Sequence, residues 1–187
     1  EKLSRKYSLN IDWDFFKNIL KLRIPSGYEY WSHNIFKNYF KKHIGKKCKV
    51  WVSKTHNLVC EINRNKTFPT IVFDAHLDEV SLRVIGYRDN GDLIAYTRGI
   101  DTKNIKGRSV TIHSRSGKDI EGVINVTASH FNKIKNDEND ENDYEFMVDI
   151  NIGANSKVKA RKMVSIGDPV TLNSKTIEFK NGNISSR

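Results

Sequence analysis

The chain has 187 residues, of which 37% are hydrophobic and 10% aromatic, enough for a packed core in one domain or two small ones. No apolar run approaches the roughly 20 residues of a membrane span, and the first ten residues lack the apolar segment of a signal peptide. We therefore expect a cytoplasmic protein with no membrane partner. The net charge of +10 lies wholly in residues 1–70, which hold 15 Lys and Arg against 5 Asp and Glu. Such an excess is typical of a nucleic-acid surface or of the solvated face of two basic helices.

Two amphipathic segments open the chain. Residues 12–24 place apolar side chains at helical spacing after Asp12, which can cap a helix N-terminus. Pro25-Ser26-Gly27 ends this first predicted helix, and a second is predicted from Glu29 to His43. The aromatic stripe of the second helix is more typical of a core face than of a base-stacking surface.

A predicted hairpin follows, with strands at 49–52 and 57–62 and an exposed His56 in its turn. Cys48 and Cys60 flank or lie within these strands and lack Cys-x-x-Cys spacing. That disfavours a disulfide framework or a zinc ribbon and favours two ordinary buried or half-buried thiols.

Thr70–Asp74 is predicted to be a central strand of an α/β sheet, because Ile71, Val72 and Phe73 form a continuous apolar run. His76 and Asp78 fall just beyond its end, where such sheets place their sites. A neutral imidazole is a good ligand for Zn²⁺ or Co²⁺, and a carboxylate two residues on can orient the ring. We therefore predict His76 as a metal ligand and Asp78 as its partner. The alternative is an ordinary polar cluster at a strand end.

After Glu79 the pattern changes to short β runs separated by turns, which predicts a small barrel or sandwich inserted as a second domain. A short helix is predicted at Asn155–Met163. The acidic segment 136–143 lacks the glycine and glutamate positions of an EF-hand loop, so a mobile solvated loop is the preferred interpretation over a Ca²⁺ site. The strands are predicted at Ser81–Arg88, Asp92–Thr97, Ser109–His113, Lys118–Val126, Tyr144–Asn151 and Pro169–Phe179.

The order of motifs resembles the tetrahedral (TET) aminopeptidases, a family of cytosolic dinuclear metallopeptidases that includes glutamyl and deblocking aminopeptidases. The motifs that carry the resemblance are Pro25-Ser26-Gly27-Tyr28-Glu29, Asp74-Ala75-His76-Leu77-Asp78-Glu79-Val80, Asp89-Asn90-Gly91, Gly107-Arg108-Ser109-Val110-Thr111-Ile112-His113, Gly122-Val123-Ile124, Asp149-Ile150-Asn151-Ile152-Gly153-Ala154 and Ile166-Gly167-Asp168-Pro169-Val170. The resemblance runs from about Asp12 to the last residue. One departure is His56-Asn57 where the family usually has Gly-Asn.

The resemblance implies an α/β fold: part of a metallopeptidase catalytic domain (1–80), an inserted small β-barrel (PDZ-like) domain for oligomerisation (81–171), and a return strand (172–187). It implies hydrolysis of N-terminal residues from peptide substrates at two divalent ions, Zn²⁺, Co²⁺ or Mn²⁺. It also implies dimers that assemble to a dodecamer. His76 would ligate one metal, and Asp78 would be the catalytic carboxylate that holds its ring.

The family's bridging aspartate, general base and remaining ligands have no counterpart in this chain. We therefore expect an N-terminal fragment that binds metal poorly and does not hydrolyse peptides. Two alternatives are a non-catalytic scaffold relative and a basic nucleic-acid-binding protein that uses residues 1–70. The second is disfavoured because charge alone is a non-specific signal.

Overall fold

The computed structural model describes residues 11–65, 67–97, 99–126 and 146–186. The chain divides into two compact units. One contains the residues up to Arg23 together with those from Asn173, and the other is Ile24–Leu172. The acidic segment 136–143 lies outside the described residues. Within the described part of the chain, no helix is both long and apolar enough to cross a membrane.

The first unit contains helix α1 (Trp13–Ile19) and a two-stranded pair, β9 (Ile177–Glu178) with β10 (Ile184–Ser185). Asp12 caps the helix as predicted, since its Oδ1 accepts a hydrogen bond from the Phe15 amide at 2.9 Å. The helix ends earlier than predicted, and none of its residues is buried. Lys17 Nζ lies 2.8 Å from Glu178 Oε2, which links α1 to β9.

In the second unit, a short 3₁₀ turn at Glu29–Trp31 leads into helix α2 (His33–Ile44). Phe36 on α2 is buried, whereas Trp31 and Ile35 are 39% and 40% exposed. The aromatic stripe therefore faces a core only in part.

The predicted hairpin is confirmed. Strands β1 (Cys48–Val52) and β2 (Leu58–Ile62) pair antiparallel, and α2 packs against both. The Ser53 amide donates to the Asn57 carbonyl at 2.8 Å to close the turn. His56 lies in this turn with φ +63° and is exposed, as expected.

The prediction of a buried strand at Thr70–Asp74 is wrong for this chain. No strand is assigned to these residues, and Ile71, Val72 and Phe73 are 77%, 80% and 94% exposed. A buried parallel strand needs hydrogen-bonding neighbours on both edges and layers on both faces. The hairpin strands β1 and β2 pair with each other, so they do not supply those neighbours.

The predicted small barrel is confirmed. Six strands close it in the order β3-β4-β7-β6-β5-β8, and every pairing is antiparallel, including the closing pair of β3 with β8. Closure leaves no free sheet edge in this part of the chain. The strands are β3 (Leu82–Tyr87), β4 (Leu93–Thr97), β5 (Ser109–His113), β6 (Asp119–Ile124), β7 (Met147–Asn151) and β8 (Pro169–Leu172).

Alternate residues of these strands fill the barrel. Leu82, Val84, Leu93, Ile112 and Ile150 are fully buried, which is the period of two that placed the strands in the sequence. Helix α3 (Lys157–Met163) lies within one or two residues of its prediction, and its cap is Ser156 rather than Asn155. The run predicted as one strand from Pro169 to Phe179 instead forms β8 and β9, with residues 173–176 between them.

Candidate functional site

A cavity of about 380 Å³ lies beside His76 in the Ile24–Leu172 unit. Three stretches line it: the residues around the start of α2, the turn of the hairpin and residues 74–78. This volume is within the range of small-ligand pockets. The titratable side chains in its wall are Glu29, His33, His56, Asp74, His76 and Asp78.

Backbone pairing fixes one side of this cavity. Residues 24–26 run parallel to residues 78–80, with a bridge between Pro25 and Glu79. The Glu79 amide donates to the Ile24 carbonyl at 2.8 Å, and Glu79 Oε1 accepts from the Ile24 amide at 3.1 Å. The carboxylate of Glu79 is therefore engaged with the backbone and holds the two segments together.

The structure brings His76 and Asp78 together. His76 Nδ1 lies 3.0 Å from the Asp78 carbonyl oxygen and 3.3 Å from Asp78 Oδ1. Ser26 Oγ donates to the other carboxylate oxygen, Asp78 Oδ2, at 2.5 Å. With the proton on Nδ1, the ring keeps a lone pair on Nε2, which is the arrangement of many metal-ligating histidines. The His76 side chain is 87% exposed, so that nitrogen is accessible.

These residues fit one position of a nitrogen–oxygen metal site. Across residues 11–65, 67–97, 99–126 and 146–186, no group of three or more His, Cys, Asp or Glu side chains is placed to hold a metal ion. A protein metal site ordinarily uses three or four ligands. His76 with its oriented ring thus represents a partial ligand set.

Sequence reasoning missed two members of the site. The sequence pattern makes Ser26 part of a helix stop, yet its hydroxyl holds Asp78 across 52 residues of sequence. The same pattern places His33 only within a helical run, yet it is 7% exposed and lines the cavity. The Pro25-Ser26-Gly27 motif was the available signal for Ser26. For His33 the sequence offered none.

A second carboxylate–histidine pair lies in the barrel. His113 Nδ1 is 2.9 Å from Asp119 Oδ1, and His113 Nε2 is 3.0 Å from Thr171 Oγ1. This chain of carboxylate, imidazole and hydroxyl resembles the catalytic triad of a hydrolase. Thr171 is fully buried, however, so its hydroxyl has no access to a substrate. The edge of Trp31 also packs on the imidazole, with ring centroids 5.4 Å apart. We therefore assign this hydrogen-bond network a structural role.

The family model of the M42 glutamyl aminopeptidases matches residues 56–187, well over half of the chain. The chain belongs to the M42 aminopeptidase family. The match includes His56 of the hairpin turn, the His76–Asp78 pair and the whole barrel.

Solved structures of several proteins have a similar fold. An aminopeptidase from the archaeon Desulfurococcus kamchatkensis is 25% identical, with a TM-score of 0.74 over 89% of this chain and 44% of its own. The Pyrococcus horikoshii TET1 peptidase, which can assemble into a tetrahedron or a large octahedral shell, is 26% identical. It has a TM-score of 0.69 over 94% of this chain and 50% of its own. A Thermotoga maritima protein described as an endoglucanase shares the fold at 22% identity and a TM-score of 0.62. The chain spans about half the length of these relatives.

Proposed function

We propose that this chain contributes to a metal-dependent aminopeptidase, and that His76 is one of the metal ligands. The observation that carries the proposal is the hydrogen-bonded His76–Asp78 pair, which lines a cavity in a member of the M42 family. Family membership favours this function over the nucleic-acid-binding alternative. It likewise favours this function over a non-catalytic scaffold role.

Each residue at the site has a distinct role in the proposal. Asp78 holds the His76 ring and raises the basicity of its outer nitrogen. Ser26 holds Asp78, and Glu79 keeps the two backbone segments in register. When bound, a pair of Zn²⁺, Co²⁺ or Mn²⁺ ions supplies Lewis acidity and lowers the pKa of a bound water. The cavity would then receive the N-terminal part of a peptide.

We further propose that this chain alone binds metal weakly and does not release amino acids from peptides. A dinuclear site draws its stability from several converging anionic ligands, and His76 supplies one neutral donor.

Homo-oligomerisation through the barrel is also part of the proposal. The supporting observation is that the related TET1 peptidase forms closed assemblies, one of them described as a dodecamer. The barrel displays apolar side chains to solvent, among them Ile85 and Val123 at 41% and 48% exposure. Such side chains are suited to a contact between copies.

The test replaces the matching part of a related aminopeptidase with this chain. Activity on peptides with added Zn²⁺, Co²⁺ or Mn²⁺ is measured for the chimera and for this chain alone. We expect activity in the chimera, abolished by His76→Ala, and none in the chain alone. Activity in the chain alone that His76→Ala abolishes would show that a complete site lies within these residues. A folded chimera whose metal affinity is the same with and without the His76→Ala substitution would contradict the ligand assignment.

We predict that Asp78→Asn in that chimera weakens metal binding by about 10- to 100-fold, because the amide holds the imidazole less firmly and does not raise its basicity. Ser26→Ala should produce a smaller loss in the same direction, since it removes the hydroxyl bonds to Asp78 Oδ2 and to the Glu79 carbonyl but leaves the Asp78 carboxylate in place. Calorimetric titration with Zn²⁺ measures both. Thr55 lines the same cavity and its hydroxyl bonds to Ser53 and Asn57 within the hairpin turn, so Thr55→Ala serves as the control. If the unsubstituted chimera and all three variants bind Zn²⁺ with equal affinity, the proposed role of Asp78 in metal binding is wrong.

A further inference from the structure

Cys48 and Cys60 approach each other across the hairpin. Their sulfur atoms lie 2.9 Å apart, and both side chains are half-buried. In the strand register Cys48 faces Ile62 and Cys60 faces Val50. Because side chains alternate along a strand, these four residues share one face and the cysteines form a diagonal pair.

We propose that Cys48 and Cys60 are an oxidation site that forms a reversible intrachain disulfide when the protein meets a small anionic disulfide of the glutathione class. A disulfide needs its sulfurs about 2.05 Å apart, so the observed distance of 2.9 Å leaves a movement of about 0.9 Å. Side-chain rotation can supply such a movement while the antiparallel pairing of β1 and β2 is kept.

The order of the chemistry follows from the environment of Cys60. Burial, and then the hydrogen bond and charge of Cys48, raise the pKa of the Cys60 thiol to about 11. Cys60 therefore retains its proton near neutral pH and can donate it to the Cys48 sulfur. We assign the first attack to Cys48.

The exchange balances in two steps. Cys48 attacks one sulfur of the oxidant, its S–S bond breaks, and a mixed disulfide forms as one small thiol leaves with a proton. Cys60 then loses its proton and attacks the Cys48 sulfur, releasing the second small thiol. The protein loses two electrons and two protons, and the oxidant is reduced to two thiols. Lys47, exposed next to Cys48 in the sequence, favours an anionic oxidant.

The test incubates the full chain with mixtures of reduced and oxidised glutathione, stops exchange with acid and measures the mass of the products. We expect the wild type to lose two hydrogens and carry no glutathione, with a peptide map that joins Cys48 to Cys60. Cys48→Ser and Cys60→Ser are near-isosteric controls, and each should stop at a glutathione adduct or stay reduced. The equilibrium constant for forming the disulfide from oxidised glutathione should be about tenfold or more larger for the folded wild type than for the same chain in denaturant. The reason is that the fold holds the two thiols together.

Three results would overturn the proposal. The wild type could accumulate a glutathione adduct to the same level as the single variants, form disulfide-linked dimers in place of the intrachain bond, or retain both thiols. A thermal-unfolding measurement gives an independent readout. The oxidised wild type should melt higher than the reduced wild type and return on reduction, while both serine variants should show no such change.

Discussion

At the scale of single residues, Asp92 shows how a buried carboxylate is stabilised by hydrogen bonds, and this residue is 5% exposed. Asn90 Nδ2 and Asn125 Nδ2 each donate to Asp92 Oδ2 at 2.8 Å. Asn151 Nδ2 donates to Oδ1 at 2.9 Å. Three amides from separate parts of the barrel thus compensate one buried carboxylate, which would otherwise be costly to remove from water.

Asp92→Ala should lower the free energy of unfolding by about 1–3 kcal/mol, because it removes the acceptor of three side-chain amides that converge on one buried carboxylate. Urea unfolding followed by circular dichroism measures the loss. Asp89→Ala is the matched control, since the Asp89 side chain is 99% exposed and its nearest cation, Lys157 Nζ, lies 3.8 Å away. Equal losses in the two variants would refute the role of the amide cluster.

The raised pKa of Cys60 predicts a pH dependence of stability for the reduced protein. Folding favours the neutral thiol, so this contribution is fully present below the ordinary value of 9.0 and is lost as pH rises through about 11. The wild type should therefore lose stability relative to Cys60→Ser across this interval. One proton limits the slope to about 1.4 kcal/mol per pH unit, and partial solvation keeps it lower. Denaturant unfolding under reductant at several alkaline pH values measures the difference, and a constant difference would contradict it.

The contact between His76 and Asp78 was predictable, because residues two apart lie on the same side of an extended segment. The contact of Ser26 with Asp78 was not, because it depends on residues 24–26 running beside residues 78–80. The closeness of Cys48 and Cys60 depends in the same way on strand register. Residue spacing alone does not predict which residues of two strands lie opposite each other, because that depends on how the two strands pair.

At the scale of elements, four of the barrel strands, β3, β4, β6 and β7, were predictable because buried residues alternate with more exposed ones. That contrast produces the period of two, as in β4, where Leu93, Ala95 and Thr97 are buried. The run Ile71–Phe73 has no such contrast, and an apolar run carries no information on which strand will pair with it. Its prediction failed for that reason.

The turn between β3 and β4 places Gly91 at φ +99°, where a Cβ would lie 2.6 Å from the Ala154 carbonyl oxygen. Gly91→Ala should therefore cost about 2–4 kcal/mol of unfolding free energy, from backbone conformation and from overlap with a neighbouring turn. Gly117→Ala is the control, since Gly117 has φ +78° but no atom within 4 Å of the added Cβ. The control should lose about 1 kcal/mol from conformation alone. If the control loses as much stability as Gly91→Ala in thermal and urea unfolding, the overlap is not the cause.

At the scale of the whole molecule, the order of motifs in the sequence was enough to predict the family and the barrel. Assembly of several copies could be predicted only from the resemblance to that family. The related structures are about twice as long as this chain.

We predict that the chain self-associates through outward apolar side chains of the barrel. Val123→Asp on β6 should weaken association at micromolar concentration by placing a charge in the contact, without lowering thermal stability. Val52→Asp on β1 makes the same change at a site that is 44% exposed and outside the barrel, and it should leave association intact. Light scattering measures both. A wild type that remains monomeric throughout would rule out the prediction.

The exposed run Ile71–Phe73 has a consequence for colloidal behaviour. Three adjacent β-forming side chains open to water are a template for amyloid-type stacking between molecules. Pro69 and Asp74 flank the run as gatekeepers, since one cannot donate to a β ladder and the other carries a charge. The net charge of +10 adds long-range repulsion, which dissolved salt screens. Raising the ionic strength should therefore bring this protein closer to precipitation while every hydrogen bond of its barrel stays in place.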